Sequence, residues 1–182
     1  ARMGDVETLG YYLITFTAGH DTTKNALVGG MHALIENPDE FAKLRGDPGL
    51  VNAAVEEVVR WATPVNYMRR RAACDTEMGG RRIRKDDWLI LFYASGNRDE
   101  DVFDDPFRFR VDRAPNPHVG FGYGEHFCLG SHLARRSQRA LFAELARRLE
   151  HVELAGEPEW IKSSFVVGLK HLPIRYRIAR GA

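Results

Sequence analysis

From Asp5 to Glu36 the sequence carries one helical pattern, closed by Asn37-Pro38. Asp5 can cap it, and apolar residues fall at Leu9, Tyr12, Leu13 and Phe16 and again at Leu27, Met31, Leu34 and Ile35. As a single helix this stretch would reach roughly 48 Å, enough to cross a whole domain. A chain that contains such a helix must be organised along it. Its midpoint, Ala18-Gly-His-Asp-Thr-Thr23, runs against the pattern, because Gly costs chain entropy and Asp and Thr side chains compete for backbone hydrogen bonds. A conflict of this kind marks a kink or a site. The bland alternative is a polar turn joining two ordinary helices.

After Asn37-Pro38 comes a short helix ended by Gly46-Asp-Pro48, then a second pattern over 49–62 with Leu50, Val51, Ala54, Val55, Val58 and Val59. In it Glu57 and Arg60 stand three apart and share a face, an arrangement that on exposed helices is only a weak ion pair. Beyond Thr63-Pro64 the texture turns to short β-like runs, and 65–93 reads as a small sheet turned at Gly79-Gly80, with Arg69, Arg70 and Arg71 on a strand edge. Over 130–149 the leucines 133, 141, 145 and 149 mark another helix, with Arg135, Arg136, Arg139, Arg147 and Arg148 on its polar positions. The segment 163–178 reads as a terminal hairpin. The class is mainly α with small β-sheets, α+β.

Composition narrows the function. The 182 residues are 44% hydrophobic, enough for one sizeable core or part of a larger one, and 26 basic against 25 acidic residues leave no global field for nucleic acid or a membrane surface. Cys74 and Cys128 stand in unlike contexts and form no disulfide framework or Cys-x-x-Cys pair, which favours a reducing compartment. No signal peptide and no membrane-length apolar run is present, so the chain reads as soluble and cytoplasmic.

The richest chemistry lies in Phe121-Gly-Tyr-Gly-Glu-His-Phe-Cys-Leu-Gly130, over 121–130, where three glycines surround a cysteine just before a helix. Glycine permits positive φ or close backbone approach, and a sulfur near a helix N-terminus is favoured as the thiolate. The bland reading is a buried thiol among turn residues. The spacing of Phe121, Gly124, Cys128 and Gly130 resembles the haem-binding loop of the cytochrome P-450 family, Phe-x-x-Gly-x-x-x-Cys-x-Gly. Two further motifs stand in family order: Ala18-Gly-x-Asp-Thr-Thr23 and Glu57-x-x-Arg60.

The resemblance covers the whole chain, as the C-terminal portion of the family's fold from its oxygen-binding helix onward, and implies that an upstream portion is lacking. It implies haem b (iron protoporphyrin IX) with Cys128 as axial iron ligand, and Ala18, Gly19, Phe121, Gly122 and Gly130 beside the cofactor. Arg70 and His126 would hold the propionates, a guanidinium fork suiting a carboxylate. Asp21 and Thr22 would relay protons to bound dioxygen, and Glu57, Arg60 and Arg108, the last from Pro106-Phe-Arg-Phe109, would lock the haem-binding core. Positions matching pocket contacts are Ala18, Val65, Tyr67, Met68, Phe165, Val166 and Val167, a mostly apolar set.

The implied activity is haem-thiolate monooxygenation of a hydrophobic small molecule, the text around Arg60 to Arg70 being similar to bacterial members that oxidise steroids, branched lipids or terpenoids. Partners would be dioxygen and a ferredoxin-type donor served by a ferredoxin reductase, docking against Arg135 and Arg136. Two readings from other classes stand beside this one. An inert truncated fragment or haem-binding sensor would keep Cys128 without turnover. A zinc protein would use His118, His126 and Cys128, although their spacing departs from common zinc patterns.

Overall fold

The computed structural model describes residues 2–179. Helix α1 (Asp5–Glu36) runs for 32 residues without interruption. The polar turn that is the alternative reading of Ala18 to Thr23 does not form, and the competing hydroxyls fold back on the helix: Thr17 Oγ1 donates to Leu13 O at 2.9 Å and Thr22 Oγ1 to Ala18 O at 2.7 Å. The N-cap is Gly4, not Asp5, with the Gly4 N–H donating to Glu7 Oε2 at 3.0 Å. Asp5 instead lies in the first turn, where its charge complements the helix dipole.

Burial on α1 departs from the apolar pattern. Leu9 is 70% and Phe16 71% exposed, and the buried positions are Asn25, Ala26, Gly30, Ala33 and Leu34. This stripe is small because other helices come close. A Cβ on Gly30 would lie 2.6 Å from Phe142 Cζ and 2.8 Å from the Val58 methyls, and one on Gly29 would lie 2.9 Å from Ala62 Cβ.

Helix α2 (Pro38–Gly46) leads through a single 3-10 turn to α3 (Val51–Ala62), which buries Ala54, Val55, Val58 and Val59 together with Glu57 and Arg60. The region expected as one small sheet is two antiparallel ribbons. Strand β1 (Tyr67–Arg71) pairs with β4 (Trp88–Phe92), and β2 (Thr76–Met78) pairs with β3 (Arg81–Ile83). Gly79 and Gly80 turn the inner ribbon with φ of 55° and 71°, the left-handed pair that a two-residue hairpin loop demands. A short α4 (Tyr93–Gly96) opens an irregular meander, and α5 (Ser131–Arg148) follows the cysteine loop.

The last four strands are β5 (Leu149–Leu154), β6 (Glu159–Trp160), β7 (Leu169–His171) and β8 (Ile174–Ile178). The expected terminal hairpin over 163–178 does not form: β8 pairs with β5 and β7 with β6. Only Leu172 and Pro173 separate β7 from β8, and the Pro173 carbonyl accepts from Ala155 N at 2.9 Å, which turns β8 onto the strand that continues α5. Val166, expected in the same hairpin, bridges instead to Val65.

On α5 the buried residues are Ser131, Gln138, Phe142 and Ala146, while Leu133 is exposed. Phe142 and Ala146 join Leu34, Phe41, Leu44, Val55, Val58, Phe109 and Val111 in one core at the crossing of α1, α3 and α5. No described helix is long and apolar enough to cross a membrane. Because the crossing has no room for a side chain at position 30, Gly30→Val should lower the unfolding free energy by about 1–3 kcal/mol. Urea denaturation measures this, and an unchanged midpoint would contradict such close packing.

Candidate functional site

At the centre of the molecule Glu57 and Arg60 are both fully buried. Arg60 grips the carboxylate with two parallel bonds, Nε to Oε2 at 2.7 Å and Nη2 to Oε1 at 2.8 Å. Its remaining donors reach backbone carbonyls: Asn97 O at 2.7 Å, Pro106 O at 2.8 Å and Arg108 O at 3.2 Å. A buried carboxylate requires this degree of satisfaction, because an unpaired ion in the interior costs several kcal/mol.

The second arginine of the cluster is Arg113, not Arg108. Arg113 Nε lies 3.0 Å from Glu57 Oε2, and its two terminal nitrogens donate to Asp104 O, Asp105 O and Arg108 O at 2.6–3.0 Å. The Arg108 side chain is exposed and contributes only its carbonyl. A signal for Arg113 was present: Phe109, Val111 and Arg113 alternate at period two, and all three are buried. The amides of this stretch, which turns at 110–113, find carboxylates, Arg110 N donating to Glu57 Oε1 and Val111 N to Glu40 Oε2, each at 2.9 Å.

Asn97, fully buried and unremarked in sequence, links this cluster to the cysteine loop. Its Nδ2 donates to Thr63 Oγ1 at 2.9 Å, and its Oδ1 accepts from Val119 N at 2.8 Å. From there the loop turns through Gly122 and Gly124, with φ of 73° and 74°. Gly130 has no such need: it is the N-cap of α5, with φ of −84°. Within the loop Cys128 N donates to Phe121 O at 2.9 Å and Gly122 N to Val119 O at 2.8 Å. The Cys128 side chain is half-buried and unbridged, and its carbonyl accepts from Ser131 N at the start of α5. Around it His126, Phe127 and Leu129 face outward.

Behind the loop Glu56 accepts two bonds from Arg135, at 2.7 and 2.8 Å, and lies 3.0 Å from His118 Nε2. Burial alone would raise the Glu56 carboxyl, but His118 and Arg135 outweigh it and hold it at about 2. Arg135 also lies over the Phe121 ring at 4.4 Å. Its guanidinium is therefore committed internally, unlike exposed Arg136, so Arg135 does not belong with Arg136 in an open docking patch. His118 faces Glu56 and Gly120, and among the described residues no three His, Cys, Asp or Glu side chains converge as a metal site.

On α1, Asp21 is exposed, and the Lys24 ammonium 3.0 Å away, with His20 beyond it, holds its carboxyl below the usual range. Ala18, Thr22 and Asn25 follow one helix face, and Asn25 meets Gly168, where a Cβ would run into its carboxamide. Next to Gly168 two distant segments join: Val167 N donates to Pro64 O at 2.8 Å, Asn66 N to Phe165 O at 2.9 Å, and the rings of Tyr67 and Phe165 lie 5.5 Å apart. The pocket candidates Val65, Tyr67, Phe165, Val166 and Val167 thus come together, with Met68 on the adjoining strand. Of the three strand arginines, Arg71 pairs with Asp86 and Arg69 stacks on Trp88. Arg70, half-buried, has no carboxylate partner among the described residues and donates only to Arg69 O.

The described residues thus bring together a cysteine on a glycine-turned loop, a buried carboxylate clasped by two arginines and one long helix. A family model described as Cytochrome P-450 matches residues 49–178. The chain is 43% identical over 177 residues to a methyl-branched lipid omega-hydroxylase of Mycobacterium tuberculosis, covering 96% of this chain and 41% of that protein. It is 43% identical over 166 residues to a linalool 8-monooxygenase of Pseudomonas putida, covering 91% and 41%. The crystal structure of CYP108D1 from Novosphingobium aromaticivorans superposes with a TM-score of 0.92 at 46% identity, covering 97% of this chain and 43% of that one. The chain belongs to the cytochrome P-450 family and has the fold of its C-terminal portion. It spans about two-fifths of the length of the curated relatives it matches.

Two outcomes follow from the buried charges. Arg113→Ala should cost about 3–5 kcal/mol by leaving Glu57 underpaired, whereas Arg108→Ala should change stability by less than about 0.5 kcal/mol; urea denaturation of both reads the difference, and equal losses would restore Arg108 to the cluster. The Glu56 carboxyl titrates near 2 when folded against an ordinary 4.5, so the unfolded chain binds more protons across that window. Its contribution to stability is complete above about pH 4.5 and is lost as the pH falls toward 2. Glu56→Gln should flatten the acid limb of stability against pH in that range, and curves parallel to the parent's would refute the pairing.

Proposed function

We propose that this chain is the haem-thiolate portion of a monooxygenase that hydroxylates a hydrophobic small molecule, using dioxygen and two electrons from a redox partner. The observation that carries the reading is Cys128, an unbridged, half-buried thiol on a loop held by backbone hydrogen bonds and two positive-φ glycines. That setting fits a flat cofactor. Side chains at 122 and 124 are absent where the backbone turns, Phe127 and Leu129 offer apolar surface beside the sulfur, and Arg70 has no carboxylate partner among the described residues. In this reading 1–182 is part of one domain: Cys128 Sγ would hold the iron, Arg70 and His126 would hold the propionates, and Ala18, Gly19, Phe121, Gly122 and Gly130 would lie beside the cofactor. Haem, when bound, supplies reductive activation of dioxygen and insertion of one oxygen atom into a C–H bond.

The chain's own residues then manage protons and position. Asp21, open to solvent beside Thr22 in α1, would relay protons from water toward it by exchanging its pairing with Lys24. Thr22 has its hydroxyl hydrogen committed to Ala18 O, so Oγ1 presents lone pairs and can hand on a proton only by exchanging that bond. Glu57, Arg60 and Arg113 hold the loop's support and take no chemical part. The apolar junction of 65–68 with 165–167 forms one wall of the substrate pocket. Relatives described as linalool 8-monooxygenase, methyl-branched lipid omega-hydroxylase and steroid C26-monooxygenase support a terpenoid, branched-lipid or steroid guest. Exposed Arg136 and Leu133 on α5 suit an acidic ferredoxin-type donor, itself served by a ferredoxin reductase, and two free cysteines fit the cytoplasm.

The test is the carbon-monoxide difference spectrum of the dithionite-reduced, haem-loaded protein. A strongly red-shifted Soret band that is lost in Cys128→His supports thiolate ligation; no haem uptake, or an imidazole-type band in the parent, would leave the chain an inert fragment or a sensor. In protein that turns over, Thr22→Ala should divert reductant to hydrogen peroxide by roughly tenfold or more, in keeping with the usual size of a proton-transfer contribution. Coupling equal to the parent's would remove Thr22 from the relay.

A further inference from the structure

We propose that Glu56 is a positioning residue for the cysteine loop: with His118 and Arg135 it forms a three-way bridge fastening the loop's entry and the helix after it to α3. It neighbours Glu57 in sequence but serves the opposite side. Glu57 turns into the meander, whereas Glu56 faces the loop.

One arm runs through His118, whose ring is 3% exposed. Its Nδ1 accepts from Gly120 N at 3.2 Å, which makes Nε2 the protonated nitrogen and the donor to Glu56 at 3.0 Å. Gly120 is itself wedged on α3, where an added Cβ would lie 2.7 Å from Val59 Cγ1. The other arm runs through Arg135. Its paired bonds to Glu56 keep the guanidinium over Phe121, and the Phe121 carbonyl receives the Cys128 amide at 2.9 Å. Both arms end within residues 118–122, the stretch to which Cys128 is hydrogen-bonded. A fork on a carboxylate fixes direction as well as distance, which a single-point lysine contact would not.

For its functional meaning the inference rests on Cys128 being the iron ligand; its structural content does not. Hydrogen–deuterium exchange on the haem-free 182-residue chain therefore tests it separately from ligation. Glu56→Gln should speed exchange at the Gly122 and Cys128 amides by about tenfold or more while leaving those of Val58 and Val59 in α3 unchanged, the signature of local opening. Arg135→Lys keeps the charge and loses the fork, so it should give the same local pattern even where Glu56→Gln fails to fold. Loop amides that exchange as in the parent, or a rise equal in the loop and α3, would overturn the proposal, the latter making Glu56 only a general stabiliser.

Discussion

One ion, the Glu57 carboxylate, has no access to water, and much of the surrounding chain is arranged to make that tolerable. Two guanidinium groups and the Arg110 amide meet its oxygens. The surplus donors of the two arginines then require acceptors, which they find in five carbonyls between Asn97 and Arg108. A stretch with little regular secondary structure is thereby given a definite path. Asn97, already held by Arg60, passes that order on to Val119 at the entrance of the cysteine loop. Placement of the sulfur thus begins with the desolvation of a carboxylate some distance from it.

The sequence was most legible where a local rule sufficed. The C-terminal end of α1, the Gly79-Gly80 turn and the Glu57–Arg60 face follow from a helix stop, glycine stereochemistry and three-residue spacing. It was least legible where the partner lies far along the chain. Arg108 stands in the matching tetrapeptide, but the side chain that reaches Glu57 is Arg113, which the alternation Phe109, Val111, Arg113 turns inward. The segment 163–178 looks like a terminal hairpin until β5, lengthening α5 by direct continuation, claims β8. Arginines on α5 look alike in sequence, and the position of Glu56 on another helix separates committed Arg135 from exposed Arg136.

Helix α1 shows a different limit. Its apolar residues before position 17 are exposed, whereas its buried stripe is made of Asn25, Ala26, Gly30 and Ala33 with one large residue, Leu34. Hydrophobic periodicity reports which side chains need cover, while the small residues report where another helix passes. Here the two coincide only after the polar segment from Ala18 to Thr23, where Leu27, Met31 and Leu34 pack with the small residues into the core; before it the apolar side chains stand exposed. Its threonine hydroxyls bond to carbonyls one turn back, so the ladder is kept while the unfavourable residues remain.

The meander between α4 and the cysteine loop has a consequence for how its variation would look. Arg60 and Arg113 read its backbone oxygens, which every amino acid supplies, so the outward side chains of Asp104, Asp105, Phe107 and Arg108 are under little direct constraint from the cluster. Replacing them one at a time would edit everything except what the arginines hold. Spacing is another matter: losing a single residue there would move each carbonyl away from its donor at once. Asp105 apart, whose φ of 48° favours Asp, Asn or Gly, the segment can drift in letters while remaining fixed in length, an exacting region disguised as a tolerant one.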